Sequence, residues 1–158
     1  MALHERLYGM TIGSALATRA TTDPTGVYLV DAGATLTFAE VDTQAEALAA
    51  SLANLGVGAG DRVALILPAC PEFVVSVFAA AKLGAMVVPL NPMLPTSELQ
   101  YMLRHSEAVC TITIERHDGL DFLDLFDELM PQLPALRYLV TVGEEDLWYD
   151  DRIFQYED

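Results

Sequence analysis

Apolar residues recur along this chain with two different periods, and each change of period marks a new element. The positions Val41, Ala45, Leu48, Leu52 and Leu55 fall at alternating steps of four and three, which lays one apolar stripe along a helix. Asp42, Glu46 and Asn54 lie off that stripe. Thr37 and Glu40 stand at its start in the T-x-x-E spacing that lets each side chain satisfy a free backbone N–H, and Gly56 is its stop signal. Arg62 to Leu67 then abandons the period. Its Val-Ala-Leu-Ile-Leu run is continuously apolar, as a strand buried on both faces is. Pro68 ends that strand and Pro71 sits where a first helical turn tolerates proline, so the next helix is predicted from Glu72 to about Lys82, closed by Gly84. Ala85 to Leu90 is a second apolar strand, Asn91-Pro92 turns the chain, a third helix begins near Thr96 or Ser97, and Val109 to Ile114 is a third strand.

Strands separated by helices of roughly ten to fifteen residues imply right-handed crossovers and a mostly parallel sheet with flanking helices, an α/β fold. Before this unit, Thr11 to Arg19 reads as an amphipathic helix capped by Thr11. Val27–Val30 and Ala34–Thr37 read as a short N-terminal β-hairpin around Asp31-Ala32-Gly33. After it, Leu120 to Met130 alternates acids with Phe122, Leu123, Leu125, Phe126, Leu129 and Met130, the pattern of an amphipathic helix ended by Pro131 and Pro134. Leu136 to Val142 is a fourth parallel strand. Residues 1–142 are therefore expected to form a single α/β domain. Residues 143–158, acidic and aromatic without a period, are expected to be an irregular tail.

Composition narrows the partners more than the fold. A chain of 158 residues suits one domain, and 53% hydrophobic residues with a mean hydropathy of +0.32 suit a sheet covered on both faces. The net charge of -15 is concentrated from Glu115 onward, where 13 of the 23 acids meet only 3 of the 8 bases. Such a surface excludes general binding to nucleic acid or anionic membrane, which needs clustered Lys and Arg. Ser76, Lys82, Gly84 and Pro89 interrupt the apolar run from Phe73 to Leu90, so it is no transmembrane segment, which needs about 20 apolar residues. The first ten residues have no apolar signal region. Cys70 and Cys110, outside any CxxC, are then expected to be reduced thiols in a cytoplasmic protein.

Most constellations of chemical interest have a structural explanation. Gly56, Gly58 and Gly60 follow a helix and precede a strand, the reverse of a dinucleotide loop, and are read as a C-cap and turn. His4, His105 and His117 have no metal-ligand spacing, no metal site is predicted, and no G-x-S-x-G elbow is present. Asp121, Asp124, Asp127 and Glu128 are read as the solvated face of their helix. Cys70 precedes Pro71 at a helix start, where a thiol pKa can fall; a small buried side chain is the expected role. The candidate ligand-facing loop is Pro89, Asn91, Pro92 and Met93, because it follows the carboxyl end of a strand, where open parallel sheets bind ligands. Prolines fixing a crossover are an equal explanation.

The same stretch resembles a known family. Leu36-Thr37-Phe38-Ala39-Glu40-Val41 is similar to the first core motif of the adenylate-forming (AMP-binding) ligases, and Ala81-Lys82-Leu83-Gly84-Ala85-Met86-Val87-Val88-Pro89-Leu90-Asn91 to the second. Leu55-Gly56-Val57-Gly58, Gly60-Asp61-Arg62-Val63-Ala64 and Pro71-Glu72-Phe73 resemble the family's linking segments. Asn91-Pro92 followed by Glu98-Leu99 resembles the fatty-acyl and aryl CoA ligase branch. The likeness runs from about Thr11 to Val142 and implies the front part of the large N-terminal domain of an AMP-forming acyl-CoA synthetase.

Such enzymes join a small-molecule carboxylic acid to ATP, with magnesium, and pass the acyl group from the adenylate to a thiol such as CoA. The residues that do so come later in those chains. No phosphate loop ending Pro-Lys-Gly is present here, and Lys82, the only lysine, matches the second core motif rather than the catalytic one. The resemblance therefore implies no catalytic and no cofactor-binding residue in this stretch, and no activity from it alone. Met93 stands where some relatives carry a basic residue that could face CoA phosphates. The alternative reading is a standalone, non-catalytic, partner-binding α/β module. In either case an exposed sheet edge or apolar face would let the chain self-associate.

Overall fold

The computed structural model describes residues 9–32, 34–143 and 153–156. Helix α1 (Ile12–Thr22) starts at Thr11, whose hydroxyl accepts from Ser14 N while Ser14 Oγ accepts in return. Strands β1 (Val27–Asp31) and β2 (Ala34–Thr37) pair antiparallel as the expected hairpin. Helix α2 (Phe38–Asn54) follows, with the Thr37–Glu40 capping box in place and Gly56 just beyond its end at φ +83.

The parallel unit then runs β3 (Arg62–Ile66), α3 (Pro71–Leu83), β4 (Met86–Pro89), α4 (Thr96–Ser106) and β5 (Cys110–Ile114). Gly84 closes α3 in the left-handed region at φ +72, a conformation glycine adopts without strain. Strand β8 (Tyr138–Val142) pairs parallel with β5 and with β9 (Ile153–Gln155), and the sheet order is β4-β3-β5-β8-β9.

The two faces of this sheet hold separate cores. On one face Val63, Leu65, Cys110, Ile112 and Val140 meet Leu16 of α1, Val41, Ala45, Leu48, Ala49 and Leu52 of α2, and Val75, Ala79 and Ala80 of α3. On the other, Ala64, Ile66 and Leu139 meet Leu99 and Leu103 of α4 and, in the segment 122–133, Phe122, Leu125, Phe126, Leu129, Met130 and Leu133. Successive residues of β3 thus serve opposite cores, which is why the strand shows no polar alternation. In β5 the same alternation is written as Cys-Thr-Ile-Thr-Ile, with Thr111 and Thr113 fully buried.

Three expectations need correction. The helix predicted from Leu120 to Met130 is shorter. Leu120–Asp121 is strand β7, paired antiparallel with β6 (Arg116–His117); the helix proper is α5 (Phe122–Leu129), and Met130–Gln132 is a 3-10 turn that holds Pro131. Asp121 is therefore not on a solvated face: its carboxylate caps α5 by accepting from Leu123 N and Asp124 N, and it pairs with Arg116 at 2.9 Å. Asp42, off the apolar stripe as expected, is nevertheless mostly buried and lies 2.7 Å from Lys82 Nζ, an ion pair off the hydrogen-bonding direction that ties α2 to α3. The segment read as an irregular tail contributes strand β9 (Ile153–Gln155), parallel to β8 at the sheet edge. Residues 144–152 and 157–158 of that segment, His4, and Gly33 of the hairpin turn lie outside the described residues.

Candidate functional site

The carboxyl ends of the parallel strands all open on one edge of the sheet. There β3 leads to α3 on the first face, whereas its neighbours β4 and β5 lead to α4 and α5 on the second. Chain leaving in opposite directions from adjacent strands creates the crevice in which open α/β sheets hold ligands.

The loop after β4 is tightly built. Leu90 N donates to Leu65 O at 2.8 Å, so the loop continues the ladder before it turns. The Asn91 side-chain oxygen accepts from Met93 N at 2.9 Å, and Leu94 N donates to Asn91 O at 3.1 Å, which makes the turn local and self-satisfied. Of the predicted site residues, Pro89 and Asn91 are exposed, Pro92 is buried, and Met93 projects with 57% of its surface free. The four share one turn; an anchored proline and an exposed thioether are what it presents. Pro95 then leads into α4 without a side-chain cap.

Beside it, Cys70 precedes α3 with extended backbone and makes no capping bond. Burial, more than any other influence, pushes its thiol up to about 11, and the Glu72 carboxylate adds to that, while backbone N–H groups of Phe73 and Glu72 only partly oppose it. The helix start therefore does not activate this thiol. Cys110, deep in β5, is pushed to about 12 by burial.

Two residues of this edge escaped the sequence reading. Glu115, directly after β5, is buried, and its carboxylate packs against Gly143 after β8, where any side chain would collide with it. A charged residue immediately after an apolar parallel strand was the available signal. Tyr156, directly after β9, is partly buried and packs against the first core. Its place depended on β9 joining the sheet, for which the local sequence has no period.

The loops 67–70 and 90–95 contain no Lys or Arg, and among the described residues no group of three His, Cys, Asp or Glu side chains could hold a metal ion. No helix of the described residues is long and apolar enough to cross a membrane.

Comparison with known proteins agrees with this architecture. The family model described as AMP-binding enzyme matches residues 16–154. The 2,3-dihydroxybenzoate-AMP ligase of Bacillus subtilis is 31% identical over 138 residues, covering 87% of this chain and 26% of that protein. The salicyl-AMP ligase / salicyl-S-ArCP synthetase of Mycobacterium tuberculosis is 32% identical over 141 residues, covering 86% of this chain and 25% of that one. Among solved structures, the anthranilate CoA ligase AuaEII in complex with anthranoyl-AMP superposes with a TM-score of 0.82 at 26% identity, covering 94% of this chain and 27% of that chain. The chain thus spans about a quarter of the length of each of these three relatives.

Proposed function

The chain belongs to the AMP-binding enzyme family, and from that premise we propose that it is the N-terminal part of an AMP-forming acid–thiol ligase. Such a ligase activates a carboxylic acid as its acyl-adenylate and transfers the acyl group to CoA or another thiol. The observation that carries this reading is the match over residues 16–154 to relatives of which the chain spans only the first quarter or so. In this proposal ATP, magnesium and CoA are held by residues outside the chain, in keeping with loops that lack Lys and Arg. Residues 1–142 act as the scaffold subdomain, and the 143–158 segment leads toward the rest of the enzyme. The free thiols Cys70 and Cys110 suit a reducing, cytoplasmic location.

ATP–pyrophosphate exchange tests the reading. The purified 158-residue chain is expected to give none with either aryl or fatty acids, whereas the full-length gene product is expected to exchange with at least one of them. Robust exchange by the chain alone would overturn it, as would a native gene product no larger than 17.2 kDa, the result that the partner-binding-module reading requires.

Within the full-length ligase, the turn holding Pro89, Asn91, Pro92 and Met93 borders the acyl or CoA channel, a placement supported by its position at a strand's carboxyl end and by the exposure of Met93. Met93→Glu and Met93→Trp are expected to raise KM for the acid or for CoA; wild-type kinetics in both would remove the loop from the channel. The chain by itself is expected to self-associate through its exposed apolar hairpin, where Val27 and Val30 are more than half exposed. Sedimentation showing only monomer at high concentration would contradict that.

A further inference from the structure

The two faces of β8 are covered unequally. On the second face, beneath α5, Leu139 and Thr141 are completely buried. On the first face Tyr138 and Val142 are only half-buried, as are Phe154 of β9 and Tyr156 just beyond it, and Val140 alone is closed off. The cause lies in how far the helices reach. α1, α2 and α3 cluster over β3 and β5 as far as Val140, and among the described residues no fourth helix lies over β8 and β9 on this side. Between α2 and the two strands runs a half-open apolar groove of about 180 Å³, walled by Leu48, Ser51 and Leu55 on one side and by Val140, Phe154 and Tyr156 on the other.

The shape of the groove matches one kind of occupant. Neighbouring strands lie about 4.8 Å apart, so β8 and β9 make a strip about 10 Å wide, the width of one α-helix. Leu48, Ser51 and Leu55 follow one another at steps of three and four, the ridge that a helix offers to a neighbouring helix. Ser51, at the centre of that ridge, is small, and its hydroxyl is already satisfied by Ala47 O at 3.2 Å. No charged side chain lines the groove.

The hand of the crossovers says where such a helix comes from. The unit β3–α3–β4 steps toward the β4 edge over the first face, and β5–α5–β8 steps away from it over the second, as right-handed connections do. A helix on the first face above β8 and β9 therefore belongs to chain that has left β9 and runs back toward β4. About three quarters of the length of the ligases matched above lies outside the stretch that this chain spans. Tyr156, at the outgoing end of β9, is itself part of the groove wall.

We propose that this groove is the docking site for an amphipathic helix of the same polypeptide, formed by the residues that follow β9 in the full-length ligase, and that this helix completes the covering of the first face. It inserts aliphatic side chains, spaced three and four apart, between the α2 ridge and the rings of Phe154 and Tyr156. The inference rests on the ligase reading and says where the next segment of that enzyme packs.

Thiol labelling of Ser51→Cys, read at that site by peptide mass mapping, tests it in the 158-residue chain and in the full-length gene product. The introduced thiol is expected to react freely in the chain and at least about tenfold more slowly in the full-length enzyme, where the helix must open first. Equal rates in the two proteins would overturn the proposal. So would protection that grows with concentration in the 158-residue chain, the mark of a second copy in the groove. A diazirine analogue of leucine at position 55 adds almost no bulk and identifies the occupant independently. On illumination of the full-length enzyme it is expected to cross-link to the first helix after residue 158 of the same polypeptide; cross-links confined to residues 1–158, to a second polypeptide or to a distant part of the enzyme refute the assignment. A native product of 17.2 kDa removes the ligase reading and this inference together, whereas an active full-length ligase with an open groove removes only the inference.

Discussion

The two faces of the sheet are built on different principles. On the first, α2 and α3 approach through small side chains, Ala45 and Ala49 from one and Ala79 and Ala80 from the other, and three helices share the covering layer. On the second, α5 and the 3-10 turn after it fill the space with large ones, Phe122, Phe126, Leu125, Leu129 and Met130, and two helices suffice. The difference shows how one apolar sheet is covered either by close backbone approach or by bulk. The first method leaves helices near enough for side-chain ion pairs. Lys82, with its side chain 15% exposed, reaches Asp42 at 2.7 Å and Glu46 at 3.2 Å across that gap, and its own stem packs against Gly13 of α1.

If bulk carries the second face, Phe122→Ala is the most damaging single truncation there. A loss of about 3–5 kcal/mol in urea unfolding is expected; a loss within 1 kcal/mol would show that the face can collapse around the hole. The first face should suffer from the opposite change. Ala79→Leu, at a site with no exposure, is expected to cost about 1–3 kcal/mol by forcing α2 and α3 apart, and a neutral result would mean that the helices are looser than their small residues suggest.

The ion pair sharpens the contrast further. Burial works against the charge on Lys82, but Asp42 and Glu46 outweigh it and hold its pKa above the ordinary 10.5. Its stabilising share is therefore fully present below that value and is lost as pH rises through the higher folded-state value. Lys82→Gln is expected to lose about 1–2 kcal/mol near neutrality and to flatten the alkaline limb of a stability-versus-pH curve; an unaltered limb would exclude the pair as its cause.

The smallest effect belongs to the helix starts. Thr37→Ala is expected to cost about 1 kcal/mol. In the native chain the capping bonds from Thr37 hold Glu40 below the ordinary carboxylate value. Asp121 lies low as well, because burial there is outweighed by Arg116 and by the N–H groups of Asp124 and Leu123. Both contributions are present above the ordinary carboxylate pKa and fade as pH falls through the lowered ones. Thermal melts across that acid range should show Thr37→Ala losing less stability than the native chain.

The elements and their caps were legible in the chain itself. Thr11, Thr37, Gly56, Pro71 and Gly84 punctuate the structure where their local chemistry says they should, because a cap or a left-handed turn is decided within about four residues. The loop from Pro89 to Met93 was legible for the same reason: an Asx turn after an apolar strand is a short-range event. Its role, by contrast, depends on what stands across the crevice.

What only the tertiary structure decided involves partners far apart in sequence. A three-residue strand such as Ile153–Gln155 has no period, and it becomes a strand only because β8 offers it a free edge. Asp42 and Asp121 look like any acids on a polar face until Lys82, forty positions on, and Arg116, in a two-residue ribbon, supply their charges. Glu115 and Tyr156 are placed by the order β4-β3-β5-β8-β9, which no window of the chain encodes. Hydrophobic periodicity and capping are one-dimensional and short-ranged. Strand order and the burial of a charge are set by which surfaces pack together, and that is fixed only when the whole core closes.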